Sequence, residues 1–132
     1  MEDWKIKIAV LWVFVAVSFS ALTMIALLMP GGIEQLIAGE SEEFGAITEG
    51  VLLFFAIFWL VPLTMAFLSL TMKDSANRWA NIIVAIVWAA LGIYDIGDGL
   101  KRGWLTVSLI SFSKTVASAL IIWYAWKSKQ KA

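Results

Sequence analysis

One lysine lies near the middle of a long apolar segment close to the C-terminus. The segment GWLTVSLISFSKTVASALIIWYAW covers residues 103–126, and Lys114 is its only charged residue. On membrane insertion scales, a lysine at such a depth costs roughly 2.5 to 3.5 kcal/mol, so it normally faces protein or water. A desolvated ammonium can pair with a carboxylate or bind an anion, and a desolvated amine can attack an aldehyde. Lys114 is therefore the leading candidate for a functional side chain.

Acidic and hydroxyl side chains that can surround Lys114 lie in the same and in neighbouring apolar segments. Asp95 lies near the end of the third segment, and Glu49 lies near the start of the second. Side chains tilt toward the N-terminus of their own helix, which brings the charged ends of Lys114 and Asp95 toward one depth. Hydroxyl groups three and four residues from Lys114 share its helical face. We therefore expect one ion-binding or solute-binding cluster, formed by Lys114, Asp95, Glu49, Ser111, Ser118 and Asn81.

Composition excludes several kinds of chemistry. The 132 residues contain no cysteine and no histidine, so a disulfide, a Cys or His zinc site, a bis-histidine haem and a Ser-His-Asp triad are excluded. Ten basic and ten acidic residues cancel, which indicates no nucleic-acid partner. We accordingly expect no catalytic residue, no metal site and no cofactor, and an enzyme is the less favoured class.

Four apolar stretches are long enough to cross a lipid bilayer. With 61% hydrophobic residues, the chain has more apolar surface than one soluble domain of this length can bury. We place the spans at residues 6–29, 44–70, 76–97 and 103–126, and Pro30 with the two following glycines ends the first span. The connecting stretch GIEQLIAG has short helical periodicity. The predicted fold is all-α, a single integral-membrane four-helix bundle over residues 1–132 with antiparallel, up-down spans.

The third span has a stripe that is less lipid-like than its other faces. Residues on this stripe recur at steps of three and four: Asn77, Asn81, Ala85, Trp88, Gly92 and Asp95. We expect the stripe to face the bundle interior, with Ala85 and Gly92 allowing a close approach of another helix.

A proline lies inside the second span. Pro62 removes one backbone hydrogen bond and clashes with the preceding turn, so we expect a kink near Phe58 and a candidate hinge at Pro62. In membrane helices such a kink often serves only the shape of the helix.

Basic residues are distributed unequally between the two predicted ends of the bundle. Seven lysines and arginines lie at the end that carries both termini, and only Lys101 and Arg102 lie at the other end. That other end also carries the acidic loop residues Glu34, Glu40, Glu42 and Glu43. The positive-inside rule then predicts a multi-pass protein of the cell membrane with its N- and C-termini in the cytoplasm.

Aromatic residues predict the two headgroup levels of the bilayer. Tryptophan and tyrosine lie at both ends of the fourth span, as in the aromatic belts of membrane proteins. Trp12 and Trp79 fit the same belts, whereas Trp59 and Trp88 lie too deep for them.

Two motifs, ANRWANII at residues 76–83 and IIWYAW at residues 121–126, are fairly specific when taken together. By these motifs the chain resembles a family of small four-span prokaryotic membrane proteins of unassigned function. That family is similar to the DoxX-like proteins, which are associated with quinone-linked oxidoreductase complexes. The resemblance implies a four-helix membrane fold and no reaction, and it allows an accessory role in such a complex. Members tend to carry acids at the positions of Thr23, Leu60 and Lys114, and this chain has none there.

Several functions remain open at this point. The first is a small transport or channel-like protein for an ion or small solute, in which Lys114 neutralises an acid until a ligand competes for it. An anionic ligand could instead pair with the lysine. The alternative is a non-catalytic accessory or assembly subunit of a membrane complex, in which the charges only fix packing. A membrane-embedded hydrolase or aldehyde-binding protein is a third hypothesis. Because four spans barely enclose a pathway, we expect a homo-oligomer in the lipid bilayer.

Overall fold

The chain is almost wholly helical. The computed structural model describes residues 3–41 and 45–131. The elements are α1 (Asp3–Leu28), α2 (Gly32–Ile37), β1 (Glu40–Ser41), β2 (Gly45–Ala46), α3 (Glu49–Thr71), α4 (Asp74–Arg102) and α5 (Leu105–Lys131). Within the described residues, α1, α3, α4 and the Leu105–Ser128 part of α5 are long and apolar enough to cross a membrane. The prediction of an all-helical chain with four long apolar helices is confirmed.

Two predictions fall on residues outside the described ranges. The acidic loop residues Glu42 and Glu43, and Phe44 at the predicted start of the second span, belong to this group. On either side of them, β1 and β2 pair antiparallel, with Glu40 opposite Ala46.

Two glycines and one threonine determine where helices end and begin in the connection between α1 and α3. Gly31 has a φ of +84°, which reverses the chain after α1. A Cβ at Gly32 would overlap the carbonyl oxygen of Ala26, so only glycine lets α2 start this close to α1. The hydroxyl of Thr48 accepts a hydrogen bond from the Val51 amide at 3.4 Å and caps α3. The short helix predicted within GIEQLIAG is confirmed as α2.

Charged and aromatic side chains join the helix ends at the opposite side of the bundle. Lys5 Nζ in α1 lies 2.7 Å from Asp74 Oδ1 at the start of α4 and 3.4 Å from the carbonyl oxygen of Met72, just after α3. Lys7 Nζ lies 5.4 Å from the ring centroid of Tyr124, near the end of α5. The starts of α1 and α4 therefore lie beside the ends of α3 and α5.

Small residues keep α4 and α5, the most extensive helix pair, close together. A Cβ at Gly92 would overlap the hydroxyl of Thr115, and a Cβ at Gly99 would overlap the hydroxyl of Ser108. Gly92 thus allows the close helix approach that the sequence predicts. Helix α1 packs against both α3 and α5, whereas the backbones of α3 and α4 barely approach each other.

The inward face of α4 agrees with the predicted stripe. Asn77, Asn81 and Ala85 are fully buried, and Gly92 is also buried. One aromatic prediction is wrong: Trp12 does not face a headgroup level but is fully buried in the core. Its indole N–H donates a hydrogen bond to Asn81 inside the bundle. In an aromatic belt, water or a lipid headgroup would be the acceptor of this hydrogen bond.

We expect Gly92→Ala to lower the free energy of unfolding by about 1 to 3 kcal/mol, because the added methyl group overpacks the α4–α5 contact. The measurement is the midpoint of unfolding in detergent, which should fall. Gly97→Ala is the matched control, since a Cβ at Gly97 meets nothing within 4 Å. It should leave the midpoint unchanged or raise it, because alanine favours helix. Adding Thr115→Ala to Gly92→Ala should restore part of the loss. Equal effects of the two glycine substitutions would contradict the close contact.

Candidate functional site

Lys114 and Asp95 face each other across the α4–α5 interface. Lys114 Nζ lies 3.9 Å from Asp95 Oδ2, which is within ion-pair range but too long for a hydrogen bond. The lysine side chain is 11% exposed and the aspartate side chain is 44% exposed. Lys114 Nζ also lies 5.6 Å from the centroid of the Phe19 ring in α1. Within the described residues, no hydrogen bond satisfies the ammonium, so the pair is loose.

A cavity of about 300 Å³ opens beside this pair, at the end of the bundle away from the chain termini. Helices α1, α2, α3, α4 and α5 all contribute to its wall. Its lining residues are Phe19, Leu22, Thr23, Ala26, Met29, Pro30, Gly31, Gly32, Gln35, Phe55, Asp95, Trp104, Val107 and Ser111. The volume is at the small end of the range for ligand pockets. Most of the described wall is apolar, and Asp95 is the one ionisable side chain among its described residues.

Ser111 is the buried hydroxyl of the cavity whose hydrogen-bonding capacity is unused. Its side chain is fully buried, and its Oγ has no hydrogen-bond partner in the part of the chain that the structure describes. Its backbone carbonyl is already occupied, because the Thr115 hydroxyl donates to it at 2.8 Å. A buried hydroxyl without a partner costs about 1 to 3 kcal/mol. A ligand in the cavity would offer Ser111 the partner that the protein does not.

Helix α2 forms the outer rim of the cavity. The turn at Pro30, Gly31 and Gly32 directs the chain back over the end of α1, and Gln35 in α2 then faces the cavity. Thr23, on the α1 side, uses its hydroxyl to bond the Phe19 carbonyl at 3.1 Å. The rim therefore has an amide side chain available, while the hydroxyl of Thr23 is already engaged.

Asn81 belongs to a different polar cluster, close to the end that carries the termini. Its Oδ1 accepts hydrogen bonds from Trp12 Nε1 at 2.6 Å and from Ser69 Oγ at 3.1 Å. Its Nδ2 donates to Asn77 Oδ1 at 2.6 Å, and Asn77 Nδ2 donates to the Ser69 carbonyl at 2.7 Å. This network joins α1, α3 and α4. Asn81 is thus a structural partner of Trp12, and the structure does not bring it to Lys114.

The other predicted site residues lie apart from the cavity. Glu49 is exposed in the first turn of α3, and within the described ranges no ion pair or hydrogen bond joins it to Lys114 or Asp95. Ser118 is buried and donates to the Lys114 carbonyl at 3.0 Å, not to the ammonium. Pro62 is fully buried within an α3 that continues through it, so its role as a hinge stays a prediction. Of the predicted cluster, the structure brings together Lys114, Asp95 and Ser111.

Sequence reasoning did not identify the aromatic wall of the cavity. Phe19 lies in α1, Phe55 lies in α3, and Trp104 lies in the turn between α4 and α5. Trp12, Phe19 and Ala26 share one helical face, and that spacing of seven was available in the sequence. Because α1 is apolar on every side, the spacing alone did not indicate which face points inward. No three acidic side chains in the described residues come together as a metal site would need.

A model of a protein family matches residues 1–132, and the description of that family is "Family of unknown function (DUF6326)". No curated protein and no solved structure matches the chain. The match supports the prediction that the chain belongs to a family of unassigned function. The relation to DoxX-like proteins stays a prediction.

We expect Asn81→Ala to destabilise the protein by about 1 to 3 kcal/mol, because the substitution leaves the buried Trp12 N–H without an acceptor. The measurement is the unfolding midpoint in detergent. Combining Asn81→Ala with Trp12→Phe should cost less than the sum of the two single changes, since the two groups satisfy each other. Trp79→Phe is the control, because Trp79 is exposed. Additive losses would show that the hydrogen bond contributes little.

Proposed function

We propose that this chain, which belongs to that family of unknown function, is a multi-pass membrane protein that binds and transports a small solute. The solute site is the cavity beside Lys114 and Asp95. The observation that carries the proposal is the Lys114 ammonium, whose side chain is 11% exposed and which lies 3.9 Å from the Asp95 carboxylate. Asp95 in turn lines a cavity that also holds the unpartnered hydroxyl of Ser111. A pair that served only packing would be expected to close to hydrogen-bond distance.

Exposed apolar side chains support insertion in a membrane. The outward faces of α1, α3, α4 and α5 carry large exposed residues, among them Val10, Leu53, Ile83 and Leu109. Contiguous apolar surface of this extent is rare on soluble monomers. Lipid hydrocarbon would cover these faces, and the long helices satisfy their backbone hydrogen bonds internally, as a bilayer requires.

The contacts at the helix ends support an up-down arrangement with cytoplasmic termini. Lys5 and Lys7 lie with Asp74 and Tyr124 at one end, and the cavity with Asp95 lies at the other. Because the basic residues of the chain are concentrated at the end with the termini, the positive-inside rule orients that end toward the cytoplasm. The cavity then opens toward the outside of the cell membrane.

Packing beyond the cavity favours a binding site that is open on one side over a continuous pore. Trp88 precedes Asp95 by two turns of α4, about 10 Å, and so lies nearer to the end with the termini. Its ring centroid lies 6.4 Å from that of Trp12 and 5.6 Å from that of Phe58. This aromatic layer and the Asn81 network fill the bundle between the cavity and the cytoplasmic end. A transported solute would therefore require rearrangement of the layer, as in gated transporters.

We expect the protein to form a homo-oligomer in the lipid bilayer, because four spans enclose little space beyond this cavity.

The accessory-subunit hypothesis differs in one respect that can be measured: it makes the Lys114–Asp95 pair a purely structural contact.

We expect single cysteines to report the orientation, since the chain contains no cysteine of its own. Glu40→Cys and Lys101→Cys should react with a membrane-impermeant maleimide on intact cells, because both positions lie at the outer end and are exposed. Lys73→Cys, in the turn between α3 and α4, should react only after permeabilisation. The opposite pattern would invert the orientation, and labelling of all three on intact cells would contradict insertion.

A double-mutant cycle on thermal unfolding tests whether the pair is structural. We expect Lys114→Met and Asp95→Asn each to change stability by less than about 1 kcal/mol or to stabilise, because a loose pair repays little of its desolvation cost. The double variant should show little coupling. Losses of about 3 to 5 kcal/mol for each single change, largely restored in the double variant, would support the accessory hypothesis instead.

A further inference from the structure

We propose that the solute is a small organic cation, an ammonium group carried on a compact apolar body. This inference rests on the proposed function and specifies the ligand of the same cavity. It follows from what the wall offers: one carboxylate, one unpartnered hydroxyl, and aromatic rings on several sides.

Asp95 is the charged group that a ligand in the cavity meets. Asp95 lines the cavity, whereas Lys114 does not belong to the described lining residues. An ionised carboxylate has about four lone-pair sites, and in the described residues no hydrogen bond to Asp95 occupies any of them. Among the described residues, its one ionic contact is the Lys114 ammonium at 3.9 Å. The cavity therefore presents unused acceptors, which suit a ligand that donates hydrogen bonds and carries positive charge.

The aromatic wall reinforces the preference for a cation. Phe19 in α1, Phe55 in α3 and Trp104 in the turn between α4 and α5 line the cavity, and the faces of aromatic rings attract cations. The Phe19 ring has the Lys114 ammonium 5.6 Å from its centroid, so this ring is already in contact with one cation. The remaining apolar lining would bury the body of the ligand, and the volume of about 300 Å³ limits that body to a small one.

Ser111 supplies a directional contact. Its buried, unpartnered hydroxyl lines the same cavity as Asp95 and can accept one N–H of the ligand while donating to the carboxylate or to a water. A primary or secondary ammonium would then have acceptors at Asp95 and at Ser111.

The arginine near the mouth has an acidic partner on its own helix. Arg102 Nε lies 3.1 Å from Asp98 Oδ2, one turn earlier on α4. The guanidinium also lies 5.0 Å from the centroid of the Trp104 ring. In the described residues, Lys114 is the cation that an ion pair joins to Asp95, and it acts as an internal competitor that the ligand displaces.

This role of Lys114 distinguishes an organic cation from an anion by experiment. If the ligand binds Asp95 in competition with Lys114, removal of the lysine charge should strengthen binding. If the ligand is an anion held by Lys114, the same change should abolish binding. The two ligand classes therefore predict effects of opposite sign for one substitution.

The experiment uses the full-length protein in detergent, in a mildly alkaline buffer that keeps carboxyl groups ionised, and three probes that share one ring and one chain length. The probes are 2-phenylethylammonium, 2-phenylethanol and 3-phenylpropanoate, and equilibrium dialysis and thermal shift report binding. We expect only the ammonium to bind the unsubstituted protein. Lys114→Gln should tighten its binding about tenfold, and Asp95→Asn should weaken it by a similar factor or abolish it. Ser111→Ala should weaken it by a smaller factor.

Leu109→Ala is the matched control in α5, because Leu109 is exposed and lies outside the cavity wall. If Asp95→Asn does not fold, Ser111→Ala and the opposite response of Lys114→Gln still decide the question. Binding of 3-phenylpropanoate that is lost in Lys114→Gln would overturn the cation inference and leave the proposed solute site standing. Binding of none of the three probes would also overturn the cation inference, whereas the proposed function is decided separately by the double-mutant cycle.

Discussion

The constraint on which the structure depends is the close approach of α4 and α5. Gly92 lies against Thr115, and Gly99 lies against Ser108. The two contacts have the same register, since the chain advances seven residues in each helix between them. That register places Asp95 within ion-pair distance of Lys114, whose side chains tilt toward each other because the two helices run in opposite directions. Larger residues at these two glycines would push the helices apart and remove the partner of the buried ammonium.

Aromatic side chains, in contrast, set the distance between α3 and α4. The rings of Phe58 and Trp88 meet at 5.6 Å between the two helices, whose backbones barely approach each other. Trp59 Nε1 donates to Ser20 Oγ at 2.6 Å and joins α3 to α1 instead. Small residues thus separate α4 from α5, whereas large rings separate α3 from α4. The two ends of the bundle also differ: Trp12 and its hydrogen-bond network fill the end with the termini, and the cavity lies at the opposite end.

Helix periodicity was sufficient to predict part of the site. The stripe on α4 faces inward because its polar and small residues recur with the helical repeat, and this placed Asn81, Gly92 and Asp95 on one face. The same face spans the length of the helix, however, so a shared stripe does not imply a shared site. Asn81 lies four turns of α4 from Asp95 and meets Trp12, while Glu49 is exposed in the first turn of α3, whose backbone does not pack against that of α5. Periodicity gives the direction of a side chain and leaves its partner on another helix undetermined.

The sequence by itself determined the helical class, four helices long enough for a bilayer, and the candidate pairing of Lys114 with an acid, because length, hydropathy and the cost of a charge in lipid are local properties. Only the tertiary structure decided that the acid is Asp95, that Ser111 faces a cavity without a hydrogen-bond partner, and that Phe19, Phe55 and Trp104 complete the wall. These features depend on the rotation and register of helices relative to one another. Helices α1 and α3 are apolar on every side and show no amphipathic face, so their rotation follows from packing against α4 and α5 and cannot be read from either segment alone.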